Sequence, residues 1–389
     1  MGSYILSNSN RFYVALEQNY GQAVSVTRQN RFPAVRRVAQ QVLEHLRRHD
    51  KTGTRTFYGT PLSARRSTGL EVQTYLTSWQ SPSTPAYGPL FQAALGGTPR
   101  ISSASTVRLV SSPAVLETTT AHGLQPGSAL SFENEIRFAS AVPSASTIVL
   151  NAPFSGNLIP GSVLSPAWTY SLATSIPSVT LYDYWDPSSA IQRLLTGAAI
   201  DSFDVSVYGD FHEFSFRGAA ADIIDSTSFS PGEGGLQQFP AEPDLGDFDY
   251  SIVPGHLGQA WLGGFGNQVF TLTAAHVQLK NNLELRHREF GATLPRAISP
   301  GLRSVVAQFS LLAQTDAESL SLYQAARSRS PMSAMLQLGQ TASQLMGIYL
   351  PAVTPEIPIY NDAESRLQWD FHNCQAQGKQ DDELFIAFA

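Results

Sequence analysis

The chain has 389 residues, more than one hydrophobic core usually serves, so two or three domains are expected. Only 14% of residues are charged, 42% are apolar and the formal net charge is −6. This composition excludes intrinsic disorder, which goes with high charge and few aromatics, and no apolar run is long enough to cross a membrane as a helix. The single cysteine, Cys374, rules out an intrachain disulfide and points to a reducing compartment. The start, MGSYILSNSN, lacks the basic flank and apolar centre of a secretory signal. Leu6 stands where a myristoylation motif needs Ser or Thr. A soluble protein made in a cytoplasm is expected. Charge is uneven: residues 1–100 carry 12 Lys/Arg against 4 Asp/Glu, and the remainder 13 against 27. That asymmetry fits either two differently charged surfaces or complementary ends of a stacking subunit.

Taken in chain order, the first element is ambiguous. AVRRVAQQVLEHLRR at 34–48 has apolar residues at helical spacing. GLEVQTYL at 69–76 alternates like a half-buried strand, and GPLFQAAL at 88–95 reads as a short helix. Short β-like runs follow at 106–110, 129–132, 135–142 and 147–150, separated by turns rich in Gly and Pro. They predict a small all-β insert over 100–172 that sits as a surface knob on the module it interrupts. It should be removable without loss of assembly. VTLYDYW at 179–185 and AIDSFDVSVYGDFHEFSFRG at 199–218 alternate again, the second as a hairpin around Gly209. The acidic, Gly/Pro-rich stretch 230–254 reads as a linker.

Beyond it the pattern repeats. VLEHLRRH at 42–49 is answered by NLELRHRE at 282–289, and GLEVQTYL by SVVAQFSLL at 304–312. GPLFQAAL is answered by SLSLYQAA at 319–326. The Gly/Pro-bearing stretches KTGTRTFYGTP at 51–61 and FGATLPRAISPG at 290–301 also correspond, and four signals in one order predict tandem copies of one module. The first is discontinuous, at 1–99 and 173–229, and the second spans 255–389. The repeat favours a strand over a helix at 34–48, since tertiary context overrides propensity.

Residues that could carry chemistry have blander readings. His45 and His49 have the spacing of two zinc ligands, but arginines surround them and a third ligand is missing. The run Asp381-Asp382-Glu383 lacks the regular oxygen offsets of a calcium loop. Neither phosphate-binding glycine fingerprint occurs, and no Ser/His/Asp set is recognisable. No catalytic residue, metal or cofactor is expected, and the chain reads as a non-enzyme. The basic run at 47–55 lacks the interleaved aromatics of a single-strand binder.

DKTGTRTFYG at 50–59, DSFDVSVYGDFHEFSFRGAAADIID at 201–225, NNLELRHREFG at 281–291, QWDF and DDELFIAF resemble the tail tube protein of long-tailed phages. The resemblance covers most of the chain. It implies a mainly β fold: two tandem tube modules of β-sandwich or barrel type with short helices, plus a small all-β inserted domain. It also implies a structural subunit that assembles in the host cytoplasm, resides in the virion tail, and stacks in rings around a conduit for DNA. The expected partners are further copies of the chain, the tape measure protein, tail completion and tip proteins, and DNA in transit without sequence preference. Two modules per chain make a ring of three chains the expectation, with six chains the alternative.

On strands of that fold one face is polar and lines the lumen. Alternation assigns to it Glu71, Gln73, Asp204, Ser206, Gln308, Gln368 and Asp370. Arg47, Arg48, Lys51, Arg55, Arg286 and Arg288 fall in the long connections of the two copies, expected to reach the next ring. A glycan-binding tail adhesin is the competing reading and would place aromatic clusters in exposed loops; a β-sandwich hydrolase is a third.

Overall fold

The computed structural model describes residues 4–44, 49–56, 59, 64–79, 84–245, 248, 250–263, 268–286 and 288–389. The protein is mainly β. The first part of the chain forms β1 (Asn10–Leu16), β2 (Arg31–Phe32), β3 (Arg36–Glu44), β4 (Arg65–Tyr75) and α1 (Gly88–Leu95). The insert region carries β5 (Arg100–Ile101), β6 (Ser105–Ser112), β7 (Val115–Thr118), β8 (Ala129–Phe132), β9 (Glu135–Ala141), β10 (Thr147–Leu150), β11 (Val163–Leu164) and β12 (Trp168–Ser171). Then come β13 (Val179–Trp185), β14 (Arg193–Tyr208), β15 (Phe211–Ala220) and β16 (Asp222–Asp225). The second half holds β17 (Gly258–Leu262), β18 (Leu272–Lys280), β19 (Glu284–Leu285), β20 (Ile298–Ser299), β21 (Ser304–Leu312) and α2 (Ala317–Ser328). It ends with β22 (Met332–Leu338), β23 (Met346–Thr354), β24 (Ile359–Asn361), β25 (Gln368–Ala376) and β26 (Phe385–Phe388).

Strand order repeats between the halves. An outer sheet runs β1–β13–β14–β16 in one and β17–β22–β23–β26 in the other, antiparallel throughout. An inner sheet runs β3–β4–β15–β14 in one. Its counterpart runs β18–β21–β25 and ends on β24, with the tail of β23 also against β25. β14 serves both sheets by its length, pairing through its first half with β13 and through its second with β15. Its counterpart breaks into β23 and β24 around Pro355 and Pro358, which have no amide to donate to a ladder. Strand β3 overrides its helical spacing because all nine of its residues find partners on β4.

The two inner sheets join within the chain. β14 pairs with β18 from Ser202↔Lys280 to Tyr208↔Ala274. One antiparallel sheet of eight strands results, ordered β3–β4–β15–β14–β18–β21–β25–β24. Alternate residues of it, among them Val72, Phe203, Phe214, Phe216, Val277, Phe309 and Phe371, enter one core shared by both halves. Helix α1 fills the centre of that core. Phe91, fully buried, has ring centroids of Phe203, Phe216 and Phe388 at 5.0, 5.2 and 5.1 Å. Asn281, just past β18, donates to the carbonyls of Ala94 (2.8 Å) and Ile200 (3.0 Å) and so ties the second half to α1. Helix α2 occupies the equivalent place in the second half, yet only Ser319, Leu322 and Ala326 of it are buried.

The outward faces of both outer sheets are apolar and both are covered, which corrects two expectations. The stretch 230–254 is not a free linker. Phe229, Leu236 and Phe239 pack over Tyr13, Tyr182, Tyr184 and Ile224, and Glu242 takes a two-pronged bond from Arg11, 2.5 and 2.7 Å. These anchors are irregularly spaced, so no periodicity announces them. The body of the insert, a six-stranded sheet around its own small core, docks on the second half and not on the module it interrupts, which β12 reaches through Tyr170 against Phe91 of α1. Its ends β5 and β12 extend the outer sheet of the second half through β26. Ala129, Ile136, Phe138 and Ala167 pack with Trp261, Met335, Tyr349 and Phe385 of that half. Phe138 stacks on Tyr349 at 5.2 Å. Gly347 leaves it room, since a Cβ there would lie 2.8 Å from the Phe138 ring.

Candidate functional site

The polar face of the eight-stranded sheet gathers the residues singled out from alternation. Directly opposed residues of an antiparallel pair share a face, so the registers can be followed across the sheet. Gln73 faces Ser215, which faces Asp204, which faces Gln278. Glu71 faces Arg217. Ser206 faces His276, which faces Gln308. Ser310, two residues on from Gln308, faces Asp370, and Leu312 faces Gln368. All seven, Glu71, Gln73, Asp204, Ser206, Gln308, Gln368 and Asp370, therefore lie on the face turned away from the core.

Several of these side chains are bonded to neighbours on the same face, Gln73 to Glu71 and Gln368 to Asp370 among them. Asp204 Oδ1 accepts from Gln278 Nε2 at 2.6 Å and lies 3.2 Å from His276 Nε2, both across the junction between the halves. Arg217 bridges Asp204 (3.7 Å) and Glu71 (3.2 Å). Burial alone would raise the Asp204 pKa. The bonds from His276 and Gln278 and the charges of His276 and Arg217 outweigh it and hold the carboxyl below its ordinary value. Further along, Asp370 accepts from Ser310 (2.6 Å) and Gln368 (2.7 Å). Arg36, Arg65, Arg217 and Lys280 balance Glu44, Glu71, Asp204, Glu213 and Asp370 on this face, which leaves it close to neutral. Arg217, His276, Gln278 and Lys280 were not singled out from sequence, although FHEFSFRG and LTAAHVQLK alternate and carry the same signal.

Of the six loop residues, Arg47 and Arg48 lie outside the described residues, as does His45. Lys51, Arg55, Arg286 and Arg288 are exposed. Arg286 pairs with Glu289 in the hairpin closed by β19 and β20. That hairpin touches the first half, where Arg66 N donates to Thr293 O at 3.0 Å, and its tip residue Phe290 is fully exposed.

Among the described residues no group of three or more His, Cys, Asp or Glu is arranged to hold a metal ion. Burial pushes the Cys374 thiol up to about 12. His212, at the start of β15, is buried with Nε2 at 3.2 Å from the Leu257 carbonyl, to which it donates as the neutral ring. Burial is the main reason its pKa falls to about 4, with help from nearby His256. An unfolded histidine titrates near ~6.5, so below that pH the unfolded chain takes up a proton the folded one refuses. Stability contributed by neutral His212 is complete above pH ~6.5 and is lost progressively as the pH falls to about 4. The loss is on the order of 3 kcal/mol. Denaturant midpoints at pH 7 and 4.5 should show this step, and His212→Gln should diminish it.

No protein-family model matches the chain, and no curated protein matches it.

Proposed function

We propose that the chain is a tail tube subunit of a long-tailed phage, forming rings of three that stack into a hollow conduit for DNA. One observation carries this reading: a continuous eight-stranded sheet, apolar on one face and polar on the other, left open at both edges among the described residues. An open sheet edge is a template for another chain, and a closed barrel removes it. Between the halves an edge of one inner sheet already pairs with an edge of the other. The remaining edges, β3 and β24, are the counterparts of β18 and β14. Pairing them between chains would continue the strand alternation without interruption.

The two helices support the same arrangement. Helix α1 is buried where the second half closes on the first, whereas α2, at the free end, keeps Leu320 47% exposed. A neighbouring chain would cover α2 as the second half covers α1. The polar face would then line the lumen, and its near-neutral charge suits DNA in transit, since a basic lining would bind phosphates. The tape measure protein during assembly and the completion and tip proteins at the ends are the other partners this role requires.

Electron microscopy of the purified protein, with native mass spectrometry of the same sample, tests the proposal. Hollow rings or tubes with a mass of three chains per ring are expected. A monomer at all concentrations would remove the tube reading, and six chains per ring would replace the trimer.

A further inference from the structure

From the internal junction we infer the register of the joint between chains: β24 of one chain pairs antiparallel with β3 of the next, with Ile359 opposite Gln40. The inference rests on the ring reading above and specifies residues within it. The last residue of β18, Lys280, faces the first residue of β21, Ser304. In the same way the last residue of β3, Glu44, faces the first residue of β4, Arg65. The two nine-residue strands therefore superpose, with Gln40 in the place of His276. At the other edge, the β14–β15 pairs Ser206↔Glu213 and Tyr208↔Phe211 match the β24–β25 pairs Ile359↔Asp370 and Asn361↔Gln368. Ile359 thus holds the place of Ser206. Within the chain Ser206 faces His276 and Tyr208 faces Ala274. Transferred between chains, Ile359 faces Gln40 and Asn361 faces Val38.

Three observations favour this register. Its faces agree: Ile359 shares a face with Asp370, and Gln40 shares a face with Glu71 and Gln73. A one-residue slip would set the polar face of one chain against the core face of the next. Its apolar groups also meet. Ile359 and Ile357 are 61% and 53% exposed in the single chain, and Val42 of the opposite edge is 54% exposed. Finally, its charges agree. Arg36 is exposed at the end of β3 that this register sets beside exposed Asp362 and Glu364, just past β24.

Thiols placed along β3 read the register directly. Arg36→Cys, Val38→Cys, Gln40→Cys, Val42→Cys and Glu44→Cys are each combined with Ile359→Cys and treated with a short bifunctional thiol reagent. Oligomers are first verified by native mass spectrometry. The parent protein, whose Cys374 is buried, serves as the control. In the single chain β3 and β24 lie at opposite edges of the sheet, so the products join chains. The Gln40 combination should react fastest and give covalent trimers. Arg36 and Glu44, each roughly 13 Å along the strand from Gln40, should react least. A maximum at any other position would overturn the register while leaving the ring. Oligomers with no cross-link at any position would overturn the β3–β24 joint. Monomeric double variants alongside a monomeric parent would overturn the ring reading itself.

Discussion

Arg137→Ala is expected to lower the unfolding free energy by about 3–5 kcal/mol, the range for breaking a buried ion pair from one side. The Arg137 side chain has no exposure and makes five hydrogen bonds. Its Nε donates to Pro153 O (2.8 Å), Nη1 to Ile136 O (2.8 Å) and Gln337 Oε1 (2.9 Å), and Nη2 to Glu135 Oε2 (3.1 Å) and Gln259 Oε1 (2.9 Å). It also lies 5.1 Å from the Trp261 ring centre. Burial lowers its pKa to about 10, with Glu135 opposing the shift, so it remains charged at neutral pH. Truncation would strand the Glu135 carboxylate and two glutamines at the seam between the insert and the second half. Denaturant unfolding would reveal the loss. A change below about 1 kcal/mol, the value of an exposed pair, would mean that water reaches this seam.

Deleting the body of the insert should cost more. Ser102 and Ala167 are bonded to each other through Ser102 N to Ala167 O, 3.0 Å, and Ala167 N to Ser102 Oγ, 2.8 Å. A short Gly-Gly bridge can therefore replace residues 103–166 without moving β5 or β12. The deletion would uncover Trp261, Met335, Tyr349 and Phe385, none more than 8% exposed in the intact chain. Each large apolar side chain returned to water costs roughly 1.5–3 kcal/mol, and a contiguous patch of them favours aggregation. The expected result is insoluble protein, partly rescued by Met335→Gln with Tyr349→Thr. Soluble, normally assembling protein from the simple deletion would restore the insert to a dispensable knob.

The sequence made the inner sheet legible because each of its strands keeps one apolar and one polar face. SFDVSV, VVAQFSL and QWDF show that period directly, and the polar residues they nominate share a face. β3 was harder. AVRRVAQQVLE fits a helix by spacing alone, and only the partner strand β4 settles it. The covers of the outer sheets were illegible for a different reason. Tyr13, Tyr182 and Tyr184 need an apolar partner, but Phe229, Leu236 and Phe239 supply it from irregular backbone. The insert follows α1 in the chain yet binds 200 residues away in sequence, Arg137 to Gln337. Turn and strand signals report on neighbours along the chain and carry nothing about such docking.

An image reconstruction of the assembled protein identifies which face of the eight-stranded sheet meets the lumen. A central channel walled by β3, β4, β15, β14, β18, β21, β25 and β24 of three chains is expected, with Glu71, Asp204, Gln308 and Asp370 facing into it. A channel lined by other strands, or an assembly in which this face is buried against another protein surface, would contradict that arrangement.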